Sequence, residues 1–146
     1  MTPADSPQWI LAKAAGDHAE LAVAEWFRGR GWEPFRTIAR ADYDLLLQCA
    51  VEVKHDRQAA TTGNVAIEIA YRNQPSGIVT STAAWWAIVV GQQALLVKSD
   101  RLRSFVLSND FRETRAGDNG ASLIRLVPLD RLLGLPGCHV IKLSSS

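Results

Sequence analysis

The chain has 146 residues, 47% of them hydrophobic and 21% charged, with 16 Lys and Arg against 15 Asp and Glu for a formal net charge of +1. That length suits one domain around one core, and the absence of any apolar run of about 18 residues excludes a membrane-spanning helix. The near-neutral total does not announce a nucleic-acid surface, so any such surface has to come from local clusters of Arg and Lys. Met1 to Trp9 bring acidic and proline residues where an export signal carries a basic stretch and an apolar core, so a cytoplasmic location is expected, that of the host for a phage-encoded protein. Cys49 and Cys138 are too few and too isolated for a zinc ligand set, and a disulfide is not expected.

In chain order, Pro7 to Arg30 is rich in Ala, Leu, Glu and Lys and ends at Gly29 and Gly31, which predicts one long helix. Trp32 to Ile38 predicts a short strand, and Tyr43 to Leu47 with Val51 to His55 a hairpin turning through Gln48, Cys49 and Ala50. Arg57 to Gly63 is expected as a polar loop. The alternation from Val65 to Tyr71 predicts a fourth strand with one face in the core. Asn73 to Gly77 carries turn chemistry and Thr80 to Trp85 is expected as a short capped helix. Strands at Ala87 to Val90 and Ala94 to Lys98 flank a turn, and Ser99 is expected to cap a helix to about Leu107. Asn109 to Gly120 is expected as a mobile, Arg-bearing loop, followed by a strand at Ser122 to Leu129, a helical turn at Asp130 to Leu133 and a strand at His139 to Leu143. The order is that of a single α/β domain spanning 1–146.

Charged residues interrupt otherwise apolar strands at Asp44-Leu-Leu-Leu and Val51-Glu52-Val53-Lys54. With Leu47 facing Val51 and Leu46 facing Glu52, strand alternation puts Asp44, Glu52 and Lys54 on one face. Two carboxylates so placed suit a hard cation, Mg²⁺ or Mn²⁺, and nothing nearby suits zinc. Lys54 is then positioned to orient a water or to offset charge building on a phosphate, which is the logic of metal-assisted phosphodiester hydrolysis. The alternative is an edge hairpin whose charges simply face water. Glu20 joins Gly16, Val23, Ala24 and Phe27 on a small or apolar helical stripe, where a carboxylate calls for a partner such as Lys54 or a bound water; the alternative is a Glu at the edge of the stripe.

A helix with Glu20, a strand with Asp44 and then Glu-x-Lys at 52–54 resembles the PD-(D/E)XK, or restriction-endonuclease-like, nuclease superfamily over roughly residues 9–107. Within it the match is nearest in appearance to small Holliday junction resolvases and phage-type endonucleases. Tyr43 stands where the family name has proline. The resemblance implies a mixed central β-sheet flanked by helices, here with a small β-containing C-terminal extension, and Mg²⁺-dependent DNA hydrolysis with one or two metal ions. It implies Asp44, Glu52 and the Val53 carbonyl as metal ligands, Lys54 as the catalytic lysine and Glu20 as an outer catalytic carboxylate.

Glu68 is a further candidate, either as a second-metal ligand or as a solvent-facing strand residue. Arg72, Asn73, Gln74, Ser76, Thr80, Ser81 and Thr82 surround the expected helix start near Thr80 and suit either a DNA phosphate or ordinary capping. Arg112, Arg115 and Lys98 are phosphate candidates or solvated charges. His18 and His55 are left out of the site, His55 because alternation turns it away from Lys54. One of Trp85 and Trp86 is expected in the core and the other stacked on a base or at a dimer interface. The expected activity is an endodeoxyribonuclease, acting on branched DNA as a homodimer because symmetric cutting of a junction needs two copies. The rivals are a non-catalytic nucleic-acid-binding module and an RNA-directed nuclease of the same fold.

Overall fold

The computed structural model describes residues 18–30, 35–36, 45–46 and 50–143. The described part is a mixed α/β structure with two sheets and four helices. None of these helices is long and apolar enough to cross a membrane.

Helix α1, His18–Arg28, realises the predicted helical stripe: Ala19, Val23, Ala24 and Phe27 are buried, and Glu20 with them at 8% exposure. The first half of the predicted helix, from Pro7, lies outside the described residues. Strands β1 (Phe35–Arg36), β2 (Leu45–Leu46) and β3 (Ala50–His55) pair antiparallel in sequence order. The hairpin register differs from the expected one, since Leu46 faces Ala50 and Leu45 faces Val51. Ala50 belongs to the sheet rather than to the turn, its carbonyl accepting the Ala84 N–H at 2.9 Å. Each partner moves by two positions, so the alternation of faces along β3 survives.

After β3, a four-residue helix α2, Ala59–Thr62, stands where a loop was expected. Asp56 explains it, because its Oδ1 accepts the N–H groups of Gln58 (3.1 Å) and Ala59 (2.9 Å), a side-chain cap. Strand β4 (Asn64–Tyr71) turns through Arg72 and Asn73, both at positive φ (49° and 63°), into the two-residue β5 (Gln74–Pro75). Two consecutive positive φ values are the signature of a type I′ hairpin turn. A 3₁₀ turn at Gly77–Val79 follows, and Thr80 to Ala84 are not helical. The helix expected there is lost to outside partners: Arg103 donates to the carbonyls of Ile78 (2.8 Å) and Ser81 (2.9 Å), and Ala84 bonds to Ala50 and Ser99 through its N–H and carbonyl.

Strand β6 (Trp85–Val90) then lies parallel to β3, and β7 (Gln93–Lys98) returns antiparallel beside β6. Helix α3, Ser99–Ser108, begins on Lys98; Ser99 does not cap it, being the first helical residue with a buried hydroxyl that has no hydrogen-bond partner. The polar segment expected to be a mobile loop contains strand β8, Arg112–Ala116, paired with β9, Ser122–Pro128. All five β8 side chains are exposed, so no apolar alternation marks it in the sequence, and its charges suit an outer edge. Helix α4 (Leu129–Leu133) and β10 (His139–Lys142) complete the fold.

The larger sheet has the order β1-β2-β3-β6-β7-β10 and the smaller β5-β4-β9-β8. The C-terminal segments are therefore not an appended extension: β9 and β8 build half of the second sheet and β10 forms an edge of the first. Alternation along β3 and β6 gives the larger sheet two cores. Val51, Val53, Ala87 and Val89 pack beneath α1 with Val23 and Phe27. Trp86, Ile88 and Val90 pack on the other side with Val65 and Ile67 of β4, Leu102 and Val106 of α3, and Leu132. The charged positions of β3 fall on this second side.

Candidate active site

On β3 the residues Ala50, Glu52 and Lys54 alternate with the buried valines, so Glu52 and Lys54 share the face that carries Trp86 in the neighbouring strand. Their side chains meet, with Lys54 Nζ 2.7 Å from Glu52 Oε1. The Glu52 side chain is 16% exposed and that of Lys54 53%, so the carboxylate is largely sunk and the ammonium reaches solvent. Lys54 Nζ also lies 5.7 Å from the centre of the Trp86 ring, within range of its negative face. Trp86 is itself fixed, its indole N–H donating to Ser81 Oγ at 2.9 Å.

Lys54 lines a cavity of about 480 Å³ whose other walls include Trp86, Ile88, Asp56, Glu68 and Gly77. Glu68 comes from β4, in the second sheet. Its two oxygens accept hydroxyl hydrogens from Ser76 (2.8 Å to Oε2) and Ser122 (2.7 Å to Oε1). The irregularity between Glu68 and Ala70 in the pairing of β4 with β9 resets the strand at this point. Gly77 presses on the same backbone: a Cβ there would lie 2.1 Å from the Glu68 carbonyl oxygen, and its φ of +60° suits glycine. The neighbouring Asp56 is committed elsewhere, since its Oδ2 accepts the Ala66 N–H at 2.8 Å while Oδ1 caps α2. It ties the end of β3 to β4 and so sets the width of the cavity.

The sequence-derived candidates divide accordingly. Glu52 and Lys54 come together and Glu68 lines the cavity that Lys54 opens on. Asp44 lies outside the described residues. Val53 is buried on the α1 side of the sheet. Glu20 is on that side too, within the α1 stripe over Val51 and Val53, so it does not approach Lys54 on the opposite face as expected; the stripe is right, but the sheet lies between. His55, expected to turn away from Lys54, is exposed at the strand end and lines the same cavity.

The expected phosphate site at a helix start near Thr80 is not formed, because no helix begins there, and Ser76 spends its hydroxyl on Glu68. Asn73, Gln74 and Arg115 instead line a separate groove of about 390 Å³ on the second sheet. Arg72 stays exposed beside Tyr71, while Thr80 and Arg112 are exposed outside that groove. Sequence reasoning missed Asp56 and Ser122. An Asp just after a strand and three residues before an Ala-Ala-Thr-Thr run was a legible cap signal; Ser122, 54 residues from Glu68, carried none.

The chain matches no family model, no curated protein and no solved structure.

Geometry therefore carries the chemical argument. Glu52 offers hard carboxylate oxygen, the donor type taken by Mg²⁺ or Mn²⁺. Among the described residues no three His, Cys, Asp or Glu side chains form a group able to hold a metal. Glu52 and Lys54 together can bind a cation at one atom and an anionic oxygen at the next, which is what a phosphodiester presents.

Proposed function

We propose that the protein is a Mg²⁺- or Mn²⁺-dependent endodeoxyribonuclease of the restriction-endonuclease-like, PD-(D/E)XK type. The observation behind this reading is the 2.7 Å contact between Glu52 and Lys54 on one face of β3, with Lys54 at the wall of a cavity. A parallel neighbour β6 and antiparallel strands on either side agree with the mixed central sheet that the resemblance implies. In this reading Glu52 holds the cation together with Asp44, the carboxylate that the sequence pattern supplies. A cation held there would supply Lewis-acid polarisation of a phosphate oxygen and a more acidic bound water. Lys54 donates hydrogen bonds from its ammonium to that water or to a non-bridging phosphate oxygen, and its half-exposed position lets it leave Glu52 for either. Glu20 takes no part, because it lies across the sheet. Glu68 holds the cavity wall rather than the metal, since both of its oxygens are engaged by serines.

A branched substrate and a homodimer are finer parts of the same proposal. Purified protein with Mg²⁺ or Mn²⁺ is incubated with four-way junction, flap, single-stranded and linear duplex DNA, with matched RNA beside them. Cleavage of DNA that stops on chelation is the expected result. Junction cleavage by a species with the mass of one chain would remove the homodimer, and cleavage of RNA alone would replace the substrate. DNA binding with no cleavage of any substrate in either metal would turn the reading into that of a non-catalytic binding module.

A further inference from the structure

On the α1 side of the larger sheet, away from the Glu52–Lys54 face, aromatic and cationic side chains form a continuous row. Trp26 of α1 stands 5.4 Å from the His139 ring of β10, and His139 stands 6.2 Å from Trp85 of β6. Phe27, buried beneath them, meets Trp26 edge-on at 5.0 Å and Trp85 edge-on at 5.8 Å, which holds both half-buried indoles in place. Cations sit at both ends of the row. The Arg30 guanidinium lies 3.7 Å over the Trp26 ring, and Lys98, directly across from Trp85 in the sheet, has its ammonium 5.7 Å from that ring.

Beyond Trp85 the row opens into a cavity of about 850 Å³ lined by Trp85, Lys98, Arg101, Ser104 and Phe105. Arg101 is steered there by Gly137, since a Cβ on that glycine would come within 3.1 Å of Arg101 Nε. Among the described residues that line this cavity the acid is Asp100, which Arg103 bridges at 2.7 Å, while Lys98 and Arg101 bring two cations to it. Half-buried indoles spaced with cations match the two repeating features of a nucleic-acid single strand, a base with a π-face and a phosphate.

We propose that this row is a track for single-stranded DNA, with bases stacking along Trp26, His139 and Trp85 and phosphates held by Arg30, Lys98 and Arg101. DNA, rather than RNA, rests on the nuclease reading above; the track itself does not. Double-stranded DNA fits it poorly, because paired bases keep their faces inside the stack. The larger cavity receives the strand end beyond Trp85, where Phe105 adds an aromatic wall.

The test measures binding of a fluorescent 12-nucleotide oligo(dT) by anisotropy in EDTA, where no hydrolysis occurs. Wild-type protein is expected to bind the single strand more tightly than the duplex or than oligo(U), with a log–log salt slope of about −0.7 per phosphate neutralised. Trp85→Ala should weaken binding about fivefold or more. Because that variant also loses packing on Phe27, the exposed-cation variant Lys98→Ala/Arg101→Ala is measured beside it, with circular dichroism to confirm its fold. It should bind at least about tenfold more weakly at 50 mM salt and show a slope shallower by about 1.4. Wild-type affinity and slope in a folded Lys98→Ala/Arg101→Ala protein overturns the track, as does equal affinity for duplex, and preference for oligo(U) overturns the DNA assignment. Cleavage of the same variants is measured separately with Mg²⁺, so loss of cleavage and loss of the track are read apart.

Discussion

Two carboxylates of this region, Glu52 paired with Lys54 and Glu68 in the cavity wall, are held in opposite ways. Glu68 is fixed from three directions, by two serine hydroxyls and by Gly77 pressed against its backbone, and the serines come from segments 8 and 54 residues away. Among the described residues Glu52 has a single charged partner, two residues along the same strand, and that partner is half in solvent. A carboxylate whose oxygens are already bonded to a rigid frame maintains shape; one paired to a mobile ammonium can exchange that partner for a ligand. The difference assigns architecture to Glu68 and chemistry to Glu52, where the sequence offered Glu52 as a metal ligand and Glu68 either as a second-metal ligand or as a solvent-facing strand residue.

The sharpest way to break the frame is Gly77→Ala. The added methyl cannot fit 2.1 Å from the Glu68 carbonyl, and the positive φ adds strain, so a loss of about 3 kcal/mol or more is expected in urea unfolding. A variant as stable as wild type would mean that Glu68 is not pinned. Asp56→Ala comes next: it leaves three backbone N–H groups without their acceptor and should cost about 2–3 kcal/mol. Ser122→Ala removes one of the two hydroxyls on Glu68 and should cost about 1–2 kcal/mol, with cleavage reduced only in proportion to the folded fraction. Lys54→Ala is the reverse case. An ion pair this exposed contributes under about 1 kcal/mol, so the melting curve should barely move while cleavage is nearly abolished.

The smallest expected effect concerns Cys138, whose thiol burial pushes above the usual value. At pH 8 it should react with iodoacetamide more slowly in the folded protein than in urea, and equal rates would show that the loop before β10 opens freely.

Much of this contrast was legible in the sequence and part of it was not. The strands with apolar alternation or apolar runs (β3, β4, β6, β7 and β9) were found, because burial of one or both faces writes itself into residue type. β8 was missed because Arg-Glu-Thr-Arg-Ala buries nothing and is a strand only through backbone pairing with β9. The helix expected at Thr80 had the composition for it, but Arg103 and the sheet claimed its backbone groups, and such partners lie about 20 or more residues away. For the site, the shared face of Glu52 and Lys54 followed from a period of two and needed only the strand to be right. Which side of the sheet α1 covers is a tertiary fact, so Glu20 was rightly expected to be buried and wrongly expected beside Lys54.

The most direct test sets Glu52→Gln against Glu68→Gln in a Mg²⁺-dependent cleavage assay on the best DNA substrate, with thermal melts of both proteins. Both changes keep the side-chain shape, and in Glu68→Gln one serine hydroxyl can still donate to the amide carbonyl while the other turns to accept from the amide N–H. The expected result is a folded Glu52→Gln protein at least about 100-fold slower than wild type and a Glu68→Gln protein within a few-fold of it. Wild-type cleavage by Glu52→Gln, with or without loss in Glu68→Gln, would contradict the assignment of the chemistry to β3.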